Sequence, residues 1–270
     1  MSTRRLSRPQ CYLDLRAGGW YLDASALETY MPLAAKGDKK MTGLPEIPVY
    51  QVNRAGSPVT IDGRLDDPAW RNAPAVELVD CVTGNKPRYP TTARMLYDSE
   101  WLYVGFHCRD PDIWGTMTGH DEPIYNEEVV EIFIDPAGSL CAYYELEVSP
   151  LNTSFDALIL NNAVTCGSEG RGDKFQGFTA WDPAGFKHAV HLEGELNAHD
   201  GMARYWECEM ALRFDELFLG GNIPPRPGDQ WRVNLYRIDI QGDRVEESAF
   251  SPTGLADFHV PARFGKIVFR

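Results

Sequence analysis

Hydrophobic and polar residues alternate along most of the chain after residue 47, with the period of two that is typical of half-buried β-strands. Clusters of glycine, proline, asparagine and aspartate separate the alternating segments, as expected of turns. No long helical pattern intervenes, so the sequence predicts an all-β fold, an antiparallel β-sandwich of the jelly-roll type. The predicted strands cover residues 49–53, 92–98, 102–109, 129–135, 143–149, 154–160, 186–196, 203–212, 231–240 and 264–269, with short helical turns at 68–71 and 213–217.

The first 45 residues differ from the rest of the chain. Residues 24–31 fit a short helix, and a polar stretch follows at residues 36–40. We therefore expect an irregular N-terminal arm at residues 1–45 and one sandwich domain at residues 46–270.

Alternation also assigns the two faces of three strands. The polar positions are His107 and Arg109 in one strand, Glu131 in the next, and Glu145 and Glu147 in the third. If these strands are neighbours, the five side chains share one sheet face, which is either an ordinary solvated face or a site. The apolar positions predicted to face the core are Leu102, Val104, Phe106 and Cys108, then Val130, Ile132 and Ile134, then Tyr144, Leu146 and Val148.

Charge and cysteine spacing narrow the classes of function. The formal net charge of -13 argues against nucleic-acid and anionic-membrane surfaces, which require a basic face. It permits neutral ligands, cations such as Ca²⁺ and basic partners. The six cysteines form no CxxC pair, which excludes a zinc ribbon, and Cys108 and Cys208 are predicted core residues.

The first ten residues carry no standard secretory signal, because a basic start at residues 1–5 is followed by the polar stretch LSRPQ. No apolar run reaches the length of a membrane-spanning helix. The expectation is a cytoplasmic protein, with secretion or a periplasmic location left open.

Four segments carry a resemblance to a known family. They are IDGRLDDPAW at 61–70, TARMLYD at 92–98 with WLYV at 101–104, YNEEVVEIFID at 125–135, and FHVPARFG at 258–265. In this order they resemble the family 9 carbohydrate-binding modules, within the wider DOMON-like group of β-sandwiches. The likeness extends over about residues 47–270.

This resemblance implies a cleft that clasps a terminal sugar between two aromatic rings. The matching positions are Tyr125 and Phe258, where the best-known modules carry tryptophans. Tyrosine and phenylalanine still offer apolar faces to a pyranose, but with less area. Trp114 and Trp181 lie in loop-like stretches, where each either extends the cleft or belongs to the core.

Polar contacts to sugar hydroxyls are implied in the same way. Glu131 matches a strand carboxylate of the family, whereas Glu145 and Glu147 replace its glutamine and arginine, an exchange that favours hydroxyl binding or recruits a cation. Asn234 and Arg237 match a strand that borders the cleft, although their odd spacing predicts that they face opposite ways. Arg109 completes the set of candidate ligand-binding residues.

The family also binds structural calcium, so Ca²⁺ is a candidate cofactor. Oxygen ligands are available from five aspartates, but no run has the spacing of an EF-hand. These aspartates are Asp66, Asp67, Asp110, Asp112 and Asp135.

Two other functions remain open besides the binding of a mono- or oligosaccharide. Glu131, Glu145 and Glu147 suit the acid and base of a glycan-active hydrolase or lyase. A haem-binding DOMON-like module would use ligands such as Met95, Met210 or His107. A further alternative is an accessory subunit whose partner is a glycan-degrading enzyme.

Overall fold

The computed structural model describes residues 12–14, 19–21, 44–161 and 175–270. The predicted helix at 24–31 lies outside these residues. By its internal contacts the chain divides into Met1–Gly43 and Leu44–Arg270. The strands are β1 (Tyr12–Asp14), β2 (Gly19–Tyr21), β3 (Val49–Arg54), β4 (Val76–Glu77), β5 (Val79–Asp80), β6 (Thr91–Tyr97), β7 (Trp101–Arg109), β8 (Val129–Asp135), β9 (Ala142–Val148), β10 (Ser154–Asn161), β11 (Phe175–Phe178), β12 (Lys187–Glu193), β13 (Tyr205–Arg213), β14 (Gln230–Gln241), β15 (Arg244–Ala249) and β16 (Gly265–Phe269).

Helical structure in the described residues is limited to four short 3-10 turns, at Pro68–Asn72, Ile124–Asn126, Phe214–Glu216 and Pro261–Arg263. None of the described helices is long and apolar enough to cross a membrane. Strands β1 and β2 form an antiparallel pair within the first unit. All remaining strands belong to the second unit.

The second unit is a β-sandwich, which confirms the predicted fold class. One sheet, called the first sheet here, has the order β11-β10-β9-β8-β14-β16, with β15 on β14 and β5 on β15. The second sheet has the order β6-β7-β13-β12, with β4 on β6. Strand β3 runs parallel to both β16 and β6 and so joins the two sheets. All other pairings are antiparallel.

The main core lies between the two sheets. All three apolar series predicted from alternation are buried there, from β7, β8 and β9. Met95 and Met210 are fully buried in the same layer, as are Cys108 and Cys208. The two cysteines are therefore core residues, as predicted, because small apolar groups fill the space between sheets.

The outer face of each sheet is also covered. On the second sheet, Trp70 and Tyr103 belong to a separate buried cluster. Gly105 of β7 permits this packing, since a Cβ there would lie 2.4 Å from the Cδ2 of Leu65. On the first sheet, Phe133, Tyr143, Tyr236, Phe258 and Phe264 form part of another buried cluster.

Sheet membership corrects one expectation. Strand β7 pairs with β6 and β13, whereas β8 pairs with β14 and β9. His107 and Arg109 therefore belong to the second sheet, and they do not share a face with the three glutamates. Alternation assigns the face of a strand but not its neighbours, which is why the conditional prediction failed.

Candidate functional site

Three glutamates meet on the outer face of the first sheet. Glu131 of β8 lies directly opposite Glu147 of β9, and Glu145 is two residues earlier on the same face of β9. One carboxylate oxygen from each lies within 4.8 Å of the others. We call these three residues the glutamate cluster.

The glutamate cluster is almost inaccessible to solvent. Glu131, Glu145 and Glu147 are 1%, 6% and 0% exposed. Among the described residues, no donor outside the cluster bonds to either oxygen of Glu147 or to Oε1 of Glu131. Glu145 and Glu147 share one side-chain hydrogen bond. Glu145 Oε1 lies 3.9 Å from His259 Nε2.

Burial without compensating charge shifts the acidity of the whole cluster. It raises the pKa of Glu145 to about 8 and the pKa of Glu131 and Glu147 well above their ordinary range. Repulsion from neighbouring carboxylates adds to burial for Glu131 and Glu147. At neutral pH the cluster therefore holds protons and can both donate to and accept from hydroxyl groups.

Tyr125 is the exposed aromatic beside the cluster. It lies in the 3-10 turn Ile124–Asn126 and is 44% exposed. Its ring meets Phe155 edge-on at 5.5 Å. Phe155 lies directly opposite Glu147 in the pairing of β9 with β10, so the ring is next to the glutamate cluster. Burial and the nearby Glu147 and Glu145 raise the pKa of the Tyr125 hydroxyl.

Phe258 and His259 lie on the same outer face. The Phe258 ring stacks on Tyr236 at 4.0 Å with an interplanar angle of 7°, and the residue is only 9% exposed. His259 receives or donates a 2.8 Å hydrogen bond at the hydroxyl of Tyr143. Phe258 is therefore a packed ring, less available to a ligand than the resemblance implies.

Asn234 and Arg237 point in opposite directions, as their spacing predicted. The Asn234 amide donates to the Tyr236 hydroxyl at 2.7 Å, on the side of the glutamate cluster. Arg237 is 1% exposed and pairs with Asp110 at 2.9 Å on the side of the second sheet. Asn234 thus supports the aromatic layer of the candidate site, and Arg237 lies away from it.

The remaining candidates are also remote from the cluster. Arg109 is exposed on β7, and its backbone carbonyl accepts from Arg237. The indole of Trp114 donates to the carbonyl of Ile240 at 2.7 Å. Trp181 packs against Tyr144 at 4.5 Å and belongs to the periphery of the main core.

A second acidic group surrounds Arg237. Asp110, Glu128 and Asp239 lie within 4.8 Å of one another, and Gln241 donates to all three. Burial, with Asp110 as the next cause, raises the pKa of Glu128 to about 10. The guanidinium of Arg237 lies 2.9 Å from Asp110 and 3.6 Å from Asp239, and protonation keeps Glu128 from adding a further negative charge. This group is therefore a buried ion-pair network.

The five aspartates considered for calcium do not come together. Asp110 alone belongs to a group of three or more candidate ligands among the described residues. Asp67 accepts from the backbone of Thr60, and Asp135 accepts from that of Leu140. This aspartate set does not fit one Ca²⁺ site, which needs six to eight converging oxygens.

The side chains considered as haem ligands already make other contacts. Met95 and Met210 are fully buried between the sheets, and His107 contacts Glu207 at 3.0 Å on the outer face of the second sheet. The three side chains do not line one pocket, because core and outer face are separated by the sheet itself.

Sequence reasoning missed His259 as part of the site. The available signal was its place directly after Phe258 in the closing segment FHVPARFG. It also missed the role of Glu209, which accepts from the backbone of Asp62 and Gly63 at 2.9 Å and from the Trp70 indole at 2.8 Å. The IDG…W segment is thus fixed to the second sheet by one carboxylate.

Comparison with known proteins shows which family has a similar sequence. Residues 61–169 match the model of the family described as "Carbohydrate family 9 binding domain-like". Over these residues the chain is similar to the family 9 carbohydrate-binding modules. The predicted resemblance to family 9 is confirmed, whereas its relation to the DOMON-like group stays a prediction.

Solved structures share this fold. A putative carbohydrate-binding protein from Bacteroides uniformis has a TM-score of 0.64 at 16% identity, covering 83% of this chain and 100% of its own. A family 9 module from Caldicellulosiruptor kristjanssonii in complex with glucose has a TM-score of 0.55 at 18% identity, covering 82% and 95%. The same organism's module in complex with cellotriose gives 0.54 at 17%, covering 82% and 93%.

Two curated proteins are similar in sequence to this chain. An "Extracellular protein" from Arthroderma benhamiae is 26% identical over 204 residues, which are 70% of this chain and 82% of that protein. "Exoglucanase XynX" from Acetivibrio thermocellus is 26% identical over 131 residues, which are 48% of this chain. The match spans only 11% of the exoglucanase.

Proposed function

We propose that the domain binds the end of a mono- or oligosaccharide at the glutamate cluster, beside Tyr125. The observation that carries the proposal is the convergence of three buried carboxyl groups, with acceptor oxygens left open on Glu131 and Glu147, next to an exposed aromatic ring. A sugar offers hydroxyls for the carboxyl groups and a C–H face for the ring. The family 9 modules solved with glucose and cellotriose support this ligand class.

The geometry favours an asymmetric site. Tyr125 supplies an exposed ring, whereas Phe258 is held against Tyr236 and acts through packing. Because the carboxyl groups are nearly inaccessible, a sugar that reaches them must displace part of their cover. We therefore expect slower association than at an open surface.

The partner proposed beyond the sugar is a glycan-degrading enzyme. Its support is the similarity to a small part of an exoglucanase. If the domain serves such an enzyme, adding it to a glucanase should increase the release of soluble sugar from an insoluble glucan. A Tyr125→Ala variant should not produce that increase.

Calorimetric titration with glucose and cellotriose tests the binding proposal. Tyr125→Ala should weaken binding about tenfold, because one ring–sugar contact contributes about 1–1.5 kcal/mol. Phe218→Ala is the matched control, since Phe218 is also exposed but lies beside Tyr144 on the other side of the sheet. Equal affinity in wild type and Tyr125→Ala would contradict the proposal, and a product assay on the same samples detects hydrolysis.

A further inference from the structure

A second cluster of candidate ligands lies away from the glutamate cluster. It is formed by His120, Asp156 and Asp182, whose ligand atoms lie within 4.8 Å of one another. Asp121 also faces the histidine, and its Oδ1 is 3.5 Å from His120 Nε2. We call these four residues the His120 cluster.

Three parts of the fold bring the His120 cluster together. The Asp121 backbone N–H donates to the carbonyl of Ser154 at 3.1 Å, which fixes the turn at residues 119–122 to β10. Asp156 lies two residues after Ser154 and on the same face of β10. Asp182 follows Trp181, whose ring packs on Tyr144.

The distances around His120 are too long for hydrogen bonds. Its Nε2 lies 3.5, 3.7 and 3.9 Å from carboxylate oxygens of Asp121, Asp156 and Asp182. A charge-assisted N–H···O bond would be about 2.7–2.9 Å. Two ligand atoms that each bind a tetrahedral metal at about 2.1 Å are separated by about 3.4 Å.

The other ring nitrogen of His120, Nδ1, faces a hydroxyl group. His120 Nδ1 lies 3.2 Å from Ser154 Oγ. A proton on Nδ1 that is donated to this hydroxyl leaves the lone pair of Nε2 directed at three carboxylates. This tautomer is repelled by the carboxylates unless a cation lies between them, and a metal-bound histidine usually donates its other ring N–H to an oxygen acceptor.

Asp156 provides an independent indication of a ligand. Its side chain is 2% exposed, and its Oδ1 has no hydrogen-bond partner among the described residues. A buried carboxylate without a donor is costly unless it is protonated or binds a cation. Asp182, by contrast, is 69% exposed and leaves the site open to solvent.

We propose that the His120 cluster is a binding site for a divalent transition-metal ion such as Zn²⁺, with His120, Asp156 and Asp182 as ligands and Asp121 as a fourth carboxylate. One nitrogen and several oxygens at this spacing suit Zn²⁺ better than Ca²⁺, which prefers oxygen ligands alone. The site lies outside the sugar site and does not depend on the proposed function.

Metal binding by the full chain tests this site. After removal of metal with a chelator, titration with Zn²⁺ should show one site per chain, and Co²⁺ should give visible absorption bands of a low-symmetry site. His120→Gln and Asp156→Asn should each weaken binding at least tenfold. Asp182→Asn should also weaken it, and this exposed change leaves the folded core intact.

His199→Gln is the matched control. His199 Nδ1 lies 3.2 Å from Asp112, so it forms a histidine–aspartate pair without the further carboxylates. The His199→Gln variant should bind Zn²⁺ as the wild type does. Absence of stoichiometric Zn²⁺ and Co²⁺ binding at micromolar concentration would overturn the proposal, as would binding that His120→Gln and Asp182→Asn leave unchanged.

Discussion

Both sheets bury a glutamate on their outer faces, but the two positions have opposite surroundings. Glu209 on the second sheet accepts three hydrogen bonds, from the backbone of Asp62 and Gly63 and from the Trp70 indole. Glu147 on the first sheet is equally buried, and among the described residues no donor outside the glutamate cluster bonds to it. Its nearest ionisable neighbours are Glu131 and Glu145.

This difference separates a structural carboxylate from a binding one. A buried acceptor that is satisfied by its own chain stabilises the fold and has no capacity left for a ligand. A buried acceptor without donors destabilises the fold unless a ligand or a proton completes it. The same substitution should therefore have opposite effects at Glu209 and at Glu147.

Glu209→Gln is expected to produce the largest change. The amide group replaces one acceptor oxygen with a donor that faces N–H groups, so one or two hydrogen bonds are lost. The free energy of unfolding should fall by about 2–4 kcal/mol in urea denaturation. Glu77→Gln, on an exposed position of β4, should change it little. If Glu209→Gln has the same free energy of unfolding as the wild type, Glu209 is not the structural carboxylate that this comparison requires.

Glu147→Gln should leave the fold as stable as the wild type or more stable. At pH 8 the substitution removes a carboxyl group whose ionisation is opposed by burial, and we expect a gain of up to about 1 kcal/mol. Sugar affinity should nevertheless fall about tenfold, because the amide nitrogen cannot accept a hydroxyl proton. Denaturation and calorimetry on one preparation would check both results. Loss of stability together with unchanged affinity would show that Glu147 is structural.

The glutamate cluster should also make the free energy of unfolding depend on pH, with a smaller effect than the two substitutions above. Burial raises the pKa of Glu145 from about 4.5 to about 8, so the unfolded chain loses this proton before the folded one does. The free energy of unfolding should therefore fall as the pH rises through this interval, by at most about 1.4 kcal/mol per pH unit for this group. The ionisable groups around it are Glu131, Glu147, Tyr125 and His259, and Glu247 acts on Glu131.

Glu145→Gln should flatten this part of the profile. Denaturation curves at intervals between pH 5 and pH 8.5 would measure it, with Glu77→Gln as the control. An identical slope in Glu145→Gln and wild type would mean that the group is ionised throughout the range.

The sequence predicted strands and faces well, because alternation reports burial directly. Strands β7, β8 and β9 bury every apolar residue that alternation assigned to the core. The sheet to which each strand belongs could not be predicted, because the sequence of a turn does not determine which sheet the next strand joins. Strands β4, β5 and β15 were not predicted either, being short or rich in polar residues such as Glu246 and Glu247.

The candidate site was only partly predictable. The glutamate cluster follows from parity once β8 and β9 are neighbours, and the resemblance pointed to Tyr125. The burial of Phe258 depends on its stacking with Tyr236, which no local pattern indicates. His120 and Asp182 are far apart in sequence, so only the folded chain shows that they meet.

Strand β3 also has a consequence for the order of folding. It lies between β6 and β16, so the two sheets of the sandwich are joined through contacts between nearly opposite ends of the chain. Contacts that are so distant in sequence slow folding, because a long loop must close first. During synthesis Gly265–Phe269 emerges after the other sandwich strands that the structure describes. Until it does, β3 and β14 lack this neighbour, and the nascent domain exposes strand edges that other chains can pair with.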